Sequence, residues 1–567
     1  MAHSCNFVRK FLNREDFLSF AKLFGLHVII TAGLIYIISI LQFYLGVEMN
    51  FVPLTVGFLI ASYLVFFLPS SKKKNQHCII YFVFTLLLYL LAIWVSFCFY
   101  DISWDGQEYH QETIFAIVDD HWNPIRNFNP PNGTFPNLYV WVKHYPKASE
   151  ILSSSIYTIT GRIESAKAFN LLFIASSFCL SLYFLSKELK LNFRRSLLFS
   201  FLVAFNPVSV YQSLTFYLDG EISSLIICGF ILIVMLVKSN KRIYLYTLML
   251  LITLLVNFKT TGIIFSVFLC LEYILLLFVN KYSFREVFKR SVPLLLTGIC
   301  AICVFGFNPY VYNTIHFKNP AYPLVGEDSA DIMSYNRPEG YEKLNKGERM
   351  FVSYFLFGID SDTGKIKVRL PFSFNYEDVL SIRDSDPRIG GFGPFFMEIC
   401  ILSGMSLLYL LRQKKFSKTG KCKLFLYCFS ICLLIFVMPE SWWARYVPLA
   451  YLVPIIIGVF FVVKNKHVPF VVELLIFLLF LNNLYVGMIY SVNPIRYTRE
   501  INGAIQELKN RNEKVYVYRY GEFHNNVQRL KENGIEYEVV EYEERWNSLG
   551  EGRMVFYNAP FEIKYEK

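Results

Sequence analysis

Charge is scarce in this chain: 17% of its 567 residues are Asp, Glu, Lys or Arg, whereas 54% are hydrophobic. That balance cannot cover an ordinary water-soluble domain, and it excludes a soluble enzyme. Cysteine is missing where a disulfide framework would be useful. All twelve cysteines lie in or near apolar runs, and none falls within 101–165, 308–393 or 491–567, so no disulfide scaffold supports those polar stretches. Cys300 and Cys303 form a lone C-x-x-C inside an apolar run, which reads as packing and not as redox or zinc chemistry. There is no internal repeat, which weighs against a transporter built from duplicated halves. The C-terminal stretch has no glycine fingerprint for a nucleotide. The first apolar stretch lacks a small-residue cleavage site and is expected to be retained as a helix.

What the chain has is length of hydrophobic run. Segments near 23–45, 51–69, 78–100, 166–186, 196–217, 219–238, 242–257, 261–280, 291–307, 394–411, 422–438, 446–463 and 467–490 read as helices that cross a bilayer, which takes about 20 residues each. The expectation is a polytopic α-helical membrane protein with about thirteen spans, in contact with membrane lipids. The net charge of +11 does not signal nucleic acid, because the basic residues gather in alternate loops. Arg9, Lys10, Arg14 and Lys22 precede the first run, Lys72–Lys74 follow the second, and Lys187, Lys190, Arg194 and Arg195 follow the fourth. The positive-inside bias then predicts a multi-pass protein of the cell (inner or plasma) membrane with a cytoplasmic N-terminus. Residues 1–490 form the transmembrane domain, with external loops 101–165 and 308–393, and 491–567 form a small extracytoplasmic α/β domain. In that domain, helical patterns at 501–511 and 522–532 and strands at 514–518, 536–540 and 553–557 suggest parallel pairing.

The densest chemistry follows the third run, at Ser103-Trp104-Asp105-Gly106-Gln107-Glu108-Tyr109-His110. A carboxylate at the mouth of a membrane helix is a candidate base, and Asp105 is also a candidate helix N-cap. Glu108 and Glu112 share a face if 106–120 is helical. His110, Asp119, Asp120 and His121 are metal-ligand types without diagnostic spacing, so a metal is left unknown and a divalent cation (Mg or Mn) stays open. The second external segment carries His316-Phe317-Lys318-Asn319-Pro320-Ala321-Tyr322-Pro323 and the cations Arg337, Arg349, Lys365, Lys367, Arg369 and Arg383. Arg445, in Trp442-Trp443-Ala444-Arg445-Tyr446, is costly at membrane depth and suits either an interfacial anchor or a phosphate contact. Lys259 is a second outward cation in apolar surroundings and needs a counter-charge.

Together, Trp104-Asp105 with Tyr109-His110, Tyr145-Pro146 with Glu150, Tyr217-Leu218-Asp219-Gly220, Lys259-Thr260-Thr261-Gly262, Asn319-Pro320-Ala321-Tyr322-Pro323-Leu324 and Trp443-Ala444-Arg445-Tyr446 give a layout that resembles the GT-C superfamily of integral-membrane glycosyltransferases. That superfamily includes the protein O-mannosyltransferases and the lipid A aminoarabinose transferases. The resemblance covers most of 1–490. It implies a polyprenyl-phosphate-linked sugar as donor and a lipid-linked glycan, lipid or protein as acceptor. It also implies Asp105 as the catalytic carboxylate, with Arg445 and then Lys259 on the donor phosphate. Glu108, Tyr109, His110 and Tyr322 are further candidates for the acceptor or loop site. The adjacent Asp-Glu pair of several members is absent, Asp105 and Glu108 standing instead. The alternatives are a polysaccharide polymerase or O-antigen ligase, a transporter of lipid-linked sugars, and a nonenzymatic assembly scaffold.

Overall fold

A computed structural model describes residues 13–68, 75–131, 138–326, 330, 336–355, 373, 385–414, 416–464, 467–519, 526–555 and 561–566. Arg9, Lys10, Lys72–Lys74, Lys365, Lys367, Arg369 and Arg383 lie outside the described residues. Helix occupies most of the described part of each of the thirteen apolar runs. The helices are α1 (Arg14–Leu45), α2 (Val52–Phe67), α3 (Asn75–Phe97), then α4 (Gln111–Val118) and α5 (Ala148–Thr160) in the segment that links the third run to the fourth, α6 (Ile163–Glu188) and α7 (Phe193–Ala204). They continue with α8 (Asp219–Ser239), α9 (Arg242–Phe258), α10 (Gly262–Val279), α11 (Phe284–Phe305), α12 (Phe396–Arg412), α13 (Lys418–Val437), α14 (Leu452–Lys464) and α15 (Phe470–Arg511). Among the described residues, eight of them, namely α1, α3, α6, α8, α10, α11, α13 and α15, are long and apolar enough to cross a membrane.

The run at 196–217 is not one helix. α7 stops at Ala204, and the chain restarts at Pro207, because the residue before a proline is driven out of helical φ/ψ and the proline has no N–H to give. Asn206 caps the restart by accepting the Ser209 N–H at 3.2 Å.

The packing is inside out relative to a soluble protein. α1 and α8 are buried along most of their length; α1 packs against α2, α6 and α9, and α8 against α6, α9 and α10. The outer helices turn large apolar side chains outward: Leu87, Leu91 and Trp94 on α3, Leu295, Leu296 and Ile299 on α11, and Phe429, Leu433 and Phe436 on α13 are all exposed. Exposed apolar faces of that extent need an apolar surrounding, which marks a membrane-embedded protein. His27, inside the bundle, is satisfied locally: its ring meets Ser62 Oγ at 3.0 Å and Tyr89 Oη at 3.3 Å.

Helix direction separates two ends. At one end Lys187 pairs with Glu15, Lys238 with Glu188 at 3.2 Å, and Arg290 with Asn240 at 2.7 Å. At the other end the segments after α3, before α8 and after α9 converge.

α15 runs without interruption from 470 to 511 and delivers the chain into a four-stranded sheet. Its strands are β1 (Val515–Tyr518), β2 (Tyr537–Val540), β3 (Arg553–Val555) and β4 (Phe561–Lys564), in the order β2-β1-β4-β3. Only β1 and β2 are parallel, with Val515 opposite Tyr537; β4 is antiparallel to both β1 and β3. The all-parallel expectation therefore fails, because the chain returns through β4 between β1 and β3. Ile505 and Leu508 of α15 pack with Val515, Val517, Leu530, Phe561 and Ile563 to form the core of this domain.

Candidate active site

The segment after α3 turns sharply before re-entering helix. Asp101, not Asp105, makes the turn: its Oδ1 accepts the Ser103 N–H and the Ser103 Oγ–H, both at 2.8 Å. Asp105 already has helical φ/ψ and makes no capping hydrogen bond, so the capping expectation is corrected and the Asp105 carboxylate is left to point elsewhere. Gly106 follows because there is no room for more. A Cβ there would collide with the Asp101 carboxylate and Ser103 Oγ.

Asp105 meets Arg445, whose Nη2 lies 3.5 Å from its Oδ2. Arg445 sits in a one-turn 3₁₀ helix, Ala444–Tyr446, and that turn is pinned by the Ala444 and Arg445 N–H groups donating to the carbonyls of Arg388 and Pro387 at 3.0 and 3.1 Å. The guanidinium is 5% exposed and is ringed by carboxylates: besides Asp105, Asp386 Oδ1 is 3.0 Å from its Nε and Asp219 Oδ2 is 3.8 Å away. Its flat faces are covered by Tyr217, Trp443 and Tyr446, with centroids 4.7, 5.0 and 5.3 Å from Cζ. A weakly hydrated planar cation tolerates such a setting where an ammonium would not.

Lys259 finds its counter-charge in Asp219 Oδ1 at 2.7 Å and lies 4.2 Å from the centre of the Tyr446 ring. Asp219 opens α8 and is steadied by Gln212, which also accepts the Gly220 N–H at 2.7 Å. Lys259 owes its place to a tight turn. The Gly262 N–H bonds back to the Lys259 carbonyl at 2.7 Å, and a side chain at 262 would strike the Leu255 carbonyl. Asp386 is shared further with Arg388, whose Nη2 is 2.8 Å away. The formal charges of Asp105, Asp219 and Asp386 against Lys259, Arg388 and Arg445 cancel.

Exposure is uneven across the group. Asp105 and Lys259 are 28% and 24% exposed, whereas Asp219 and Arg445 are at 6% and 5%. The charges an incoming molecule meets are thus the Asp105 carboxylate, the Lys259 ammonium and the Arg388 guanidinium, which is 37% exposed, with the buried Arg445 guanidinium behind them. Tyr109 stands edge-on to Tyr145 at 5.5 Å, and burial followed by the Asp105 charge raises its phenol well above the ordinary range, so it is a neutral hydrogen-bonding group.

Asp105, Arg445 and Lys259, expected from the sequence, thus come together, with Tyr109 beside them. His110 turns inward and places Nδ1 2.6 Å from Glu150 Oε1. Glu108 is half-buried in the turn Gly106–His110. Tyr322 belongs to another group: it stacks on Phe317 at 4.0 Å and stands edge-on to His144 at 4.8 Å. His121 pairs at the surface with Glu48 at 3.2 Å, and Asp119 accepts from Tyr157 Oη at 3.2 Å. No set of three or more His, Cys, Asp or Glu among the described residues is placed to hold a metal ion. The carboxylates of the site instead share three cations, a donor set already neutralised.

Asp386 was missed by sequence reasoning, and Asp219 and Arg388 were noted only within longer stretches. Asp386 gives no local signal, since it enters through a loop that touches Arg445 only in the folded chain. A buried arginine that needs more than one acid was the available clue. Among protein-family models and curated proteins, nothing matches this chain.

Proposed function

We propose that this protein is a membrane-bound glycosyltransferase that moves a sugar from a polyprenyl-phosphate-linked donor to a cell-envelope acceptor, on the face of the membrane where Asp105 lies. The observation that carries the reading is a partly exposed carboxylate, Asp105, joined through Arg445 and Asp219 to a partly exposed ammonium, Lys259, at the rim of an apolar helical bundle, where a lipid-borne substrate would arrive. In this reading thirteen helices cross the membrane, the N-terminus is cytoplasmic, and the sheet domain faces the same extracytoplasmic side as the site. The lipid tail stays in the bilayer, and only the phosphosugar enters the group of charges.

Asp105 accepts the proton of the acceptor hydroxyl as its oxygen bonds to the anomeric carbon. The bond from that carbon to the phosphate oxygen breaks, and the departing polyprenyl phosphate keeps the electron pair. Positive charge aimed at that oxygen is most useful at this moment. The exposures reverse the order given by the resemblance: Lys259 is the direct phosphate contact, and the buried Arg445 holds Asp105 in place while adding its field. A single base and a single displacement invert the anomeric centre. Two opposed carboxylates would be expected if water were the acceptor.

The experiment is sugar transfer by the purified protein from a panel of polyprenyl-phosphate sugars to envelope glycan acceptors, wild type beside Asp105→Asn. Donor-dependent transfer with inverted stereochemistry, lost in the variant, is the expected result. Undiminished transfer in the variant would move the base elsewhere. No transfer from any donor, with chain lengthening from preassembled lipid-linked glycan instead, would replace this reading by a polymerase.

A further inference from the structure

A second buried group of charges lies where the sheet domain meets the first external segment. Its centre is Arg529, in the short helix α16 (Val527–Glu532), which is 3% exposed although it is an arginine on a domain surface. Its Nη2 is 3.3 Å from Glu164 Oε1 and donates to the Asp101 carbonyl at 3.2 Å, while its guanidinium lies 5.0 Å from the centre of the Tyr100 ring. Glu164 also receives Lys167 Nζ at 2.5 Å and the Asp101 N–H at 2.8 Å, and Lys167 donates to the Phe99 carbonyl at 2.7 Å. Three consecutive residues at the exit of α3 are therefore gripped by one arginine of the sheet domain and by the ion pair beneath it. Around this contact, the Ile163 N–H donates to Glu532 at 2.8 Å and Gln528 donates to Tyr157 Oη at 2.6 Å.

The grip leads directly to the site. The Asp101 side chain binds Ser103 through Oδ1, as described, and accepts the Phe216 N–H through Oδ2 at 3.3 Å. Ser103 begins the turn that aims Asp105; Phe216 precedes Tyr217, which covers the Arg445 guanidinium, and Asp219, which pairs with Lys259. One carboxylate thus joins the two strands of chain that carry the base and the phosphate-side acid, and Arg529 fixes the backbone that presents it.

We propose that Arg529 is a positioning residue of the active site, through which the docked C-terminal domain sets the Asp101–Asp105 turn, so that the domain is part of the catalytic unit and not only a scaffold. The inference rests on the glycosyltransferase reading for its activity readout. Removing a buried charge at a contact of this kind leaves its partner uncompensated. Without Arg529, Asp101 and Glu164 share the single charge of Lys167. Burial and then the Glu164 charge already push the Asp101 carboxyl up to about 6, and loss of a nearby cation moves it higher still. The groups facing Asp101 are Glu164, Lys167, Arg529, Ser103 and the Phe216 N–H.

The test uses the full chain in lipid nanodiscs: wild type, Arg529→Met, Arg529→Lys, Arg529→Met with Glu164→Gln, and Arg545→Ala as an exposed control. Transfer is followed against pH, and hydrogen exchange is followed in peptides spanning 99–107 and 526–533. Arg529→Met is expected to lower kcat at least tenfold with little change in donor KM and to move the acid limb of the pH profile toward neutrality. It should also quicken exchange across 99–107. Lysine at 529, or the paired neutral change, should recover part of both effects, and the control should match wild type. Wild-type kcat with an unmoved acid limb in Arg529→Met overturns the proposal, as does a fall in kcat with exchange across 99–107 unchanged. If the wild type transfers from no donor, the function reading fails by itself, and the exchange comparison still decides whether Arg529 sets the turn.

Discussion

Arg445→Met removes the one cation that three acids share while keeping most of the side chain's volume. The guanidinium is 5% exposed, with Asp386 at 3.0 Å, Asp105 at 3.5 Å and Asp219 at 3.8 Å. Removing one partner of a buried ion pair costs about 3–5 kcal/mol, because the other is left charged and unsolvated. Asp105 is 28% exposed and regains water, so its share falls toward the ~0–1 kcal/mol of a surface pair. Asp219 keeps Lys259 and Asp386 keeps Arg388, which softens the loss further. The expected destabilisation is therefore about 3 kcal/mol, the low end of the buried-pair range. The assay is equilibrium unfolding in mixed micelles titrated with denaturing detergent, on Arg445→Met, Asp386→Asn and the double variant. Because the two residues touch, the double variant should be more stable than the sum of the singles by about 1–3 kcal/mol. An Arg445→Met protein within about 0.5 kcal/mol of wild type, or singles that add within that margin, would refute the view that a shared buried cation holds the site.

Gly262→Ala should raise donor KM about tenfold, as Lys259→Met does, a loss of roughly 1.4 kcal/mol of binding. The added methyl cannot fit against the Leu255 carbonyl and must displace the Lys259 turn; donor titration of both variants checks this, and an unchanged KM in Gly262→Ala counts against it. A pH effect on stability is expected at His144, whose Nδ1 meets Asn313 Oδ1 at 2.7 Å and whose pKa is pulled down to about 4, chiefly by burial. Between about 6.5 and about 4 the unfolded chain takes up a proton that the folded chain refuses, so stability falls as pH drops through that window. Asp101, pushed up to about 6, has the opposite sign between about 4 and 6, since there only the unfolded chain is ionised and stability falls as pH rises. The His144 effect is therefore read as the difference between wild type and His144→Phe across pH 4–6.5, and parallel curves would refute it.

Hydrophobic run length located the long apolar helices, eight of which are long and apolar enough to cross a membrane among the described residues, because a segment in lipid must satisfy its backbone internally and so shows as a long apolar stretch. What run length missed is the break before Pro207, where a local rule about the residue preceding proline overrides hydropathy. Asp105, Lys259 and Arg445 could be picked out from the sequence because an ionisable residue next to an apolar run is expensive to place there. Asp386 was not readable. Its role depends on Arg445 needing several acids, a demand that arises only once the guanidinium is buried. The part played by Asp101 was not readable either: only the contacts to Ser103 and Phe216 reveal that it makes the turn while Asp105 is left outward. β4 (Phe561–Lys564) was not read from the sequence, and its absence from the reading made the sheet look parallel.

The unbroken passage of α15 from apolar bundle to sheet domain has a geometric consequence. A helix advances about 1.5 Å and turns about 100° per residue, so the bearing of the sheet domain around the helix axis is written in the number of residues between them. One residue added near 495 would swing Arg529 about 100° away from Glu164. Seven added residues would bring it back to within about 20° of its bearing but carry it about 10 Å too far along the axis. Unlike a domain on a flexible tether, this one tolerates no change of spacing, and its connection acts as a gauge that admits a single length.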